Sequence, residues 1–227
     1  MSESVPPRRG TDFDAALPGR LSSRALRCRR FGLLLVAFVG WWQLRRPFRP
    51  ASHRRGLGSA IVGAMIDEVR RVLLRELEAF AREVESFPDD ESLWKTLPGV
   101  TNSAGNLALH ACGNLKHFVG AVLGGTGYIR QRPTEFATRA GRREDVARGL
   151  REAAEVVGAV LPHLTTQALD QPFPEAHDGT QLPCGRFLLH LVTHLCFHLG
   201  QASYLRRILT GDSHPSSAVS LEALAGD

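Results

Sequence analysis

Apolar residues recur at Ile66, Val69, Val72, Leu73, Leu77, Phe80 and Ala81, a period near 3.6 that lines them along one side of a helix over residues 64–84. Pro88 and the acidic pair Asp89-Asp90 end that helix, and a short connector carrying Trp94 and Pro98 follows. Asn102 or Ser103 can cap a second helix, which runs to residue 123 and breaks at Gly124-Gly125-Thr126-Gly127. Residues 128–142 read as a polar crossover. Val146, Leu150, Ala153, Val157 and Val160 form the inner stripe of a third helix over 143–161, stopped by Pro162. Residues 165–183, with Pro172, Pro174 and Gly179, form a loop, and a fourth long helix over 184–209 is broken by Gly211. Four amphipathic helices without a strand signal predict an all-α four-helix bundle over residues 63–211. The connector between helices two and three is long enough for a crossover, and a flexible tail occupies 212–227.

Residues 1–62 follow no such pattern. The first thirty are rich in Pro, Arg, Ser and Gly and read as disordered. An apolar block at 31–42 then stands between Arg29-Arg30 and Arg45-Arg46. At twelve residues it is shorter than the roughly 18 a membrane span needs, and no small-x-small cleavage site follows it. It reads either as an interfacial helix or as sequence upstream of a functional chain opening at Met65, and the composition break favours the second. Charge divides at the same place. Residues 1–64 hold 12 Arg against 3 acids, whereas 65–227 hold 16 Lys and Arg against 20 acids. The net charge of +5 therefore belongs to the extension, and the folding part lacks the basic face that nucleic acid requires. Cys28, Cys112, Cys184 and Cys196 form no C-x-x-C pair and are too sparse for a disulfide scaffold, so reduced thiols in a cytoplasm are expected.

Candidate chemistry lies in the histidines. His190, His194, His198 and Gln201 fall within about 80° of one another around the fourth helix. This polar stripe is either a solvent face or a seam inside the bundle. Ligand nitrogens of one ion at ~2.1 Å lie ~3–4 Å apart, while residues eight positions apart are separated by ~12 Å along the axis, so three in a row cannot share an ion. A metal site would take two adjacent members and a third imidazole from another helix. His110 is the best candidate, with His117 able to replace it but not to join it. Cys112 and Cys196 point away from the neighbouring candidates and read as small packing residues. Asn114, one turn after His110, either bonds an imidazole or satisfies backbone. Gly105 and Gly113, in twin Gly-Asn-Leu triplets, read as sites of close helix contact. His53, His163, His177 and His214 are expected in solvent.

The run Asn102-Ser103-Ala104-Gly105-Asn106-Leu107-x-x-His110-x-x-Gly113-Asn114-Leu115, then Glu135-Phe136, then His190-x-x-x-His194-x-x-x-His198-x-Gly200-Gln201-x-x-Tyr204-Leu205-x-Arg207 resembles the DinB-like superfamily of metal-binding four-helix bundles. The likeness spans about residues 65–209. It implies a divalent ion, zinc or nickel, on His110, His194 and His198, with His190, Asn114 and Gln201 around them. It also implies a fold shared by thiol S-transferases, proposed hydrolases and members without an assigned reaction. The expected partners are a small thiol and an electrophile rather than nucleic acid or membrane, and a homodimer is compatible with the bundle. Three functional classes stand open: an enzyme activating thiol or water, a non-catalytic metal-binding bundle linked to stress, and a membrane-surface protein that uses the apolar block at 31–42 as an anchor.

Overall fold

The computed structural model describes residues 54–176, 179–215 and 220–225, with side chains from residue 63. The expected disordered extension and its apolar block, together with Cys28, His53 and His177, lie outside the described residues. The described residues form six α-helices: α1 (Arg54–Glu85), α2 (Asp90–Trp94), α3 (Ala104–Leu115), α4 (Arg132–Ala137), α5 (Arg143–Val160) and α6 (Cys184–Thr210). No described helix is long and apolar enough to cross a membrane. α3 continues as a π-helical stretch, Lys116–Leu123, so the second long rod of the bundle changes its winding near the middle. α1, the α3 rod, α5 and α6 form the bundle. α1 begins at Arg54 rather than near residue 64, because residues 54–63 carry helix-compatible Leu, Ala, Ile and Val but no apolar period to reveal them.

α1 packs against α5 and α6, and α3 packs against the same two, so consecutive long helices sit on the diagonals of the bundle. The connector after α1 makes this feasible. Ser92 N–H is capped by Asp89, and the α2 turn delivers Trp94 against α3. The Trp94 indole lies where a Cβ on Gly105 would stand, 2.7 Å from it, and its Nε1 donates to Gly141 O at 2.8 Å. Fully buried Leu73, Leu77 and Phe80 of α1 face Leu150 and Val157 of α5 in the core, with Leu115 of α3 and Leu191 and Leu195 of α6 closing it. Along the π-helical stretch, glycine admits a close neighbour. A Cβ on Gly120 would lie 2.9 Å from Val156, and one on Gly124 would lie 2.4 Å from Val160. α6 ends at Gly211, whose φ of +71° forms the left-handed cap.

The connectors hold more structure than their composition suggests. α4 stands inside the polar crossover, and the loop before α6 contains a 3-10 turn, Thr166–Asp170, and a bridge between Pro172 and Pro183. Phe173 of that loop is fully buried against Phe187 of α6, with ring centroids 4.1 Å apart, and Phe118 closes the cluster. Part of the tail is also tied down. Arg206, 1% exposed, donates to Glu83 Oε1 at 2.5 Å, to Asp212 Oδ2 at 2.7 Å and to His214 O at 2.6 Å.

Asn106 fixes the start of α3 and the crossover together. Ser103 and Asn106 form a reciprocal capping box, and Asn106 Nδ2 donates to Glu135 O at 2.9 Å and Thr138 O at 2.8 Å. Asn106→Ala leaves the Ser103 cap on the residue-106 N–H but removes the reciprocal half of the box and the donors to the Glu135 and Thr138 carbonyls, of which only Thr138 O keeps another partner, Arg139 Nη1, and this should cost about 1–3 kcal/mol. Urea unfolding measures this, and a loss below ~0.5 kcal/mol would show that the crossover is held elsewhere.

Candidate metal centre

Because α3 and α6 are neighbours, the ring of His110 meets two rings from the fourth long helix. His110 Nε2 lies 3.4 Å from His194 Nε2, and His198 Nε2 lies 3.1 Å from the same atom. One nitrogen from each of the three lies within 4.8 Å of the others. Ligands on a tetrahedral ion with bonds of ~2.0–2.1 Å are separated by ~3.4 Å, so the spacing fits a single cation.

Hydrogen bonds outside the cluster settle which nitrogens face inward. His198 Nδ1 lies 2.9 Å from Gln201 Oε1, an acceptor, so Nδ1 carries the proton and Nε2 presents its lone pair to the centre. His110 Nδ1 lies 2.9 Å from Glu135 Oε2. Arg130 grips that carboxylate from the other side, Nε on Oε1 at 2.7 Å and Nη2 on Oε2 at 2.8 Å. Three imidazole nitrogens that converge in this way are the donor set zinc and its neighbours take.

Electrostatics keeps the donors ready. Burial pushes the His194 imidazole down to about 3, and the positive ends of His198, His110, His190 and Arg130 push the same way. Burial also lowers His198, outweighing the hydrogen bond that His198 Nδ1–H donates to Gln201, which works to raise it. For Glu135 burial acts upward, but Arg130 and then His110 overcome it and hold the carboxyl below its ordinary range. Both histidines are thus neutral and Glu135 is ionised at neutral pH, as metal binding requires.

Gln201 stands beside His198, and His190 is exposed with its ring 5.7 Å from that of His194. The polar stripe is therefore neither a plain solvent face nor a buried seam but the border between the two. Asn114 is buried, yet among the described residues it makes no hydrogen bond to the three imidazoles. His117 is kept away from the centre, with Nε2 on Glu175 of the loop at 2.9 Å. Cys112 is buried and its thiol pushed up to about 12 by burial, an inert packing residue, whereas Cys196 is exposed rather than packed. His163 and His214 are exposed, and Tyr204 stands out in solvent near the end of α6. Gly105 and Gly113 admit side chains, the Trp94 indole and the Glu135 carboxylate, instead of another helix backbone.

Arg130 and the role of Glu135 escape sequence reasoning, because both lie in the crossover, where no periodicity reports which way a side chain points. The weak signal available was Glu135-Phe136 in a polar stretch. Phe136 covers the His110 ring at 4.8 Å, and the Arg132 guanidinium lies 5.3 Å from the Phe136 centroid.

A helical bundle with three convergent imidazoles, one from its second long helix and two from its last, can hold a metal ion at one edge of its core. A family model described as the DinB superfamily matches residues 65–202, and the chain belongs to that superfamily. No curated protein and no solved structure matches it.

The depressed His194 value sets a pH dependence. An unfolded histidine titrates near 6.5. As pH falls from there toward 3, the unfolded chain takes up a proton that the folded site refuses, so the metal-free bundle loses stability across that window. His194→Gln removes this proton uptake. Thermal melts of metal-free protein at pH 7 and pH 5 should show a smaller acid-induced decline for the variant than for the parent, and equal declines would contradict the assignment.

Proposed function

We propose that the chain is a metal-dependent enzyme in which His110, His194 and His198 hold a divalent ion, zinc or nickel, and a small thiol is presented to an electrophile. The observation that carries this reading is the donor set: three imidazoles converge and no fourth side chain joins them among the described residues. Three protein ligands are characteristic of catalytic rather than structural zinc. When bound, such an ion lowers the pKa of a thiol or water in the remaining position.

The residues around the cluster favour thiol over water. Both oxygens of Glu135 are engaged by Arg130 and His110, so the nearest carboxylate is committed to holding the site and is a poor general base. A thiol starts far more acidic than water, so coordination releases its proton to solvent outright at neutral pH, whereas a coordinated water is only partly deprotonated there and gains more from a general base. Phe136 gives the His110 side an apolar wall, and the exposed His190 and Gln201 place the cluster within reach of a small molecule from solvent. Small reactants and a reducing cytoplasm, with Cys112 and Cys184 as free thiols, complete the reading.

Metal analysis of the purified full chain should give about one ion per chain. His194→Ala should lose it, because two imidazoles remain where three are needed. The loaded protein should consume an electrophile only when a low-molecular-weight thiol is present. One tightly held ion without turnover would assign a non-catalytic bundle, and metal-free protein after exposure to zinc and nickel would end both readings.

A further inference from the structure

Glu135 does not reach His110 across open space. Its carboxylate occupies a notch in α3, and a Cβ built on Gly113 would lie 1.9 Å from Oε1 and 2.8 Å from Cδ. A side chain of any size at 113 therefore evicts the carboxylate. Glu135 is 8% exposed and Arg130 10% exposed, so the pair is shielded from water, where a bidentate charge-assisted contact is strongest. Arg130 is itself held against the Phe118 ring, 5.9 Å from its centroid. Because an ionised carboxylate can only accept, the proton shared with His110 resides on Nδ1. The 3.1 Å approach of Arg130 Nη2 to Nδ1 then brings together two donors that share Oε2. Asn106 fixes the backbone of the same glutamate through its carbonyl.

We propose that Glu135, seated over Gly113 and gripped by Arg130, is a positioning residue that locks His110 in the Nδ1–H tautomer with Nε2 aimed at the cluster. The strength of metal binding is thereby set from the crossover, outside the ligands themselves. This rests on the metal reading above, but it also makes a statement about the metal-free protein. An outer carboxylate fixes the ring's orientation before the ion arrives and raises the basicity of the ligating nitrogen, and losing such a partner typically weakens metal binding about 10–100-fold. Gly113 is the complementary half of the device. Alanine is favoured over glycine inside a helix, so Gly113→Ala has no reason to weaken metal binding except through the displaced carboxylate.

The test measures zinc affinity by chelator competition for the full chain, Glu135→Gln, Gly113→Ala and the double variant, and records the 15N imidazole spectrum of His110 in metal-free protein at neutral pH. Each single variant should bind zinc about 10–100-fold more weakly, with the double no weaker than the worse single, because both act through one contact. His110 should carry its proton on Nδ1 in the parent and divide between the two nitrogens in Glu135→Gln. Zinc affinity within twofold of the parent in Glu135→Gln, or an unchanged His110 spectrum, would overturn the proposal. If the parent takes up no zinc, the metal reading fails, and the spectrum alone still decides whether Glu135 sets the tautomer.

Discussion

The structure is organised around one electrostatic constraint: three imidazoles aim ring nitrogens at a common point at the edge of an apolar core. The protein spends several hydrogen bonds to create it. Gln201 fixes His198, while Glu135 with Arg130 fixes His110. His194, between them, is held neutral by burial. None of these contacts has a better explanation in packing alone, because each buries or half-buries a polar group where a hydrophobe would stabilise the bundle more cheaply.

The bundle topology makes the meeting feasible. Placing α1 and α3 on one diagonal makes α3 and α6 neighbours, and this brings residue 110 opposite residues 194 and 198. Below the cluster, Phe118, Phe173 and Phe187 lock the π-helical stretch, the loop and the start of α6 into one apolar knot. Beyond it, buried Arg206 ties α6 to Glu83 of α1 and holds the segment after Gly211. α6 is thus anchored on both sides of the histidines, so their spacing is a property of the bundle as a whole.

Much of this was legible in the sequence, and what was hidden has a physical cause. Long helices announce themselves because burial repeats every turn: Leu73, Leu77 and Phe80, or Val146, Leu150 and Val157, mark an inner face without reference to any other element. The stripe of His190, His194 and His198 was visible for the same reason. Its partner on α3 was narrowed to His110 or His117 by axial distance, and the family likeness named His110; the structure brings His110 to the cluster and ties His117 to Glu175. Periodicity says nothing about short helices such as α2 and α4, which are set by caps and tertiary contacts. It also misses the change from α to π winding after Leu115. The Glu135–Arg130 grip depends on a crossover folding back onto a glycine, a contact between residues far apart in sequence that no local pattern encodes. Gly105 and Gly113 looked like helix-contact positions, yet a glycine in a helix reports only that something comes close, not what.

X-ray absorption at the metal edge of protein loaded with one zinc per chain tests the central claim most directly, because it counts and identifies the atoms around the ion. The account predicts nitrogen or oxygen neighbours at ~2.0–2.1 Å with the outer scattering of about three imidazoles, weakened by one imidazole in His110→Ala. A sulfur neighbour at ~2.3 Å, or a spectrum that His110→Ala leaves unchanged, would place the ion elsewhere and contradict it.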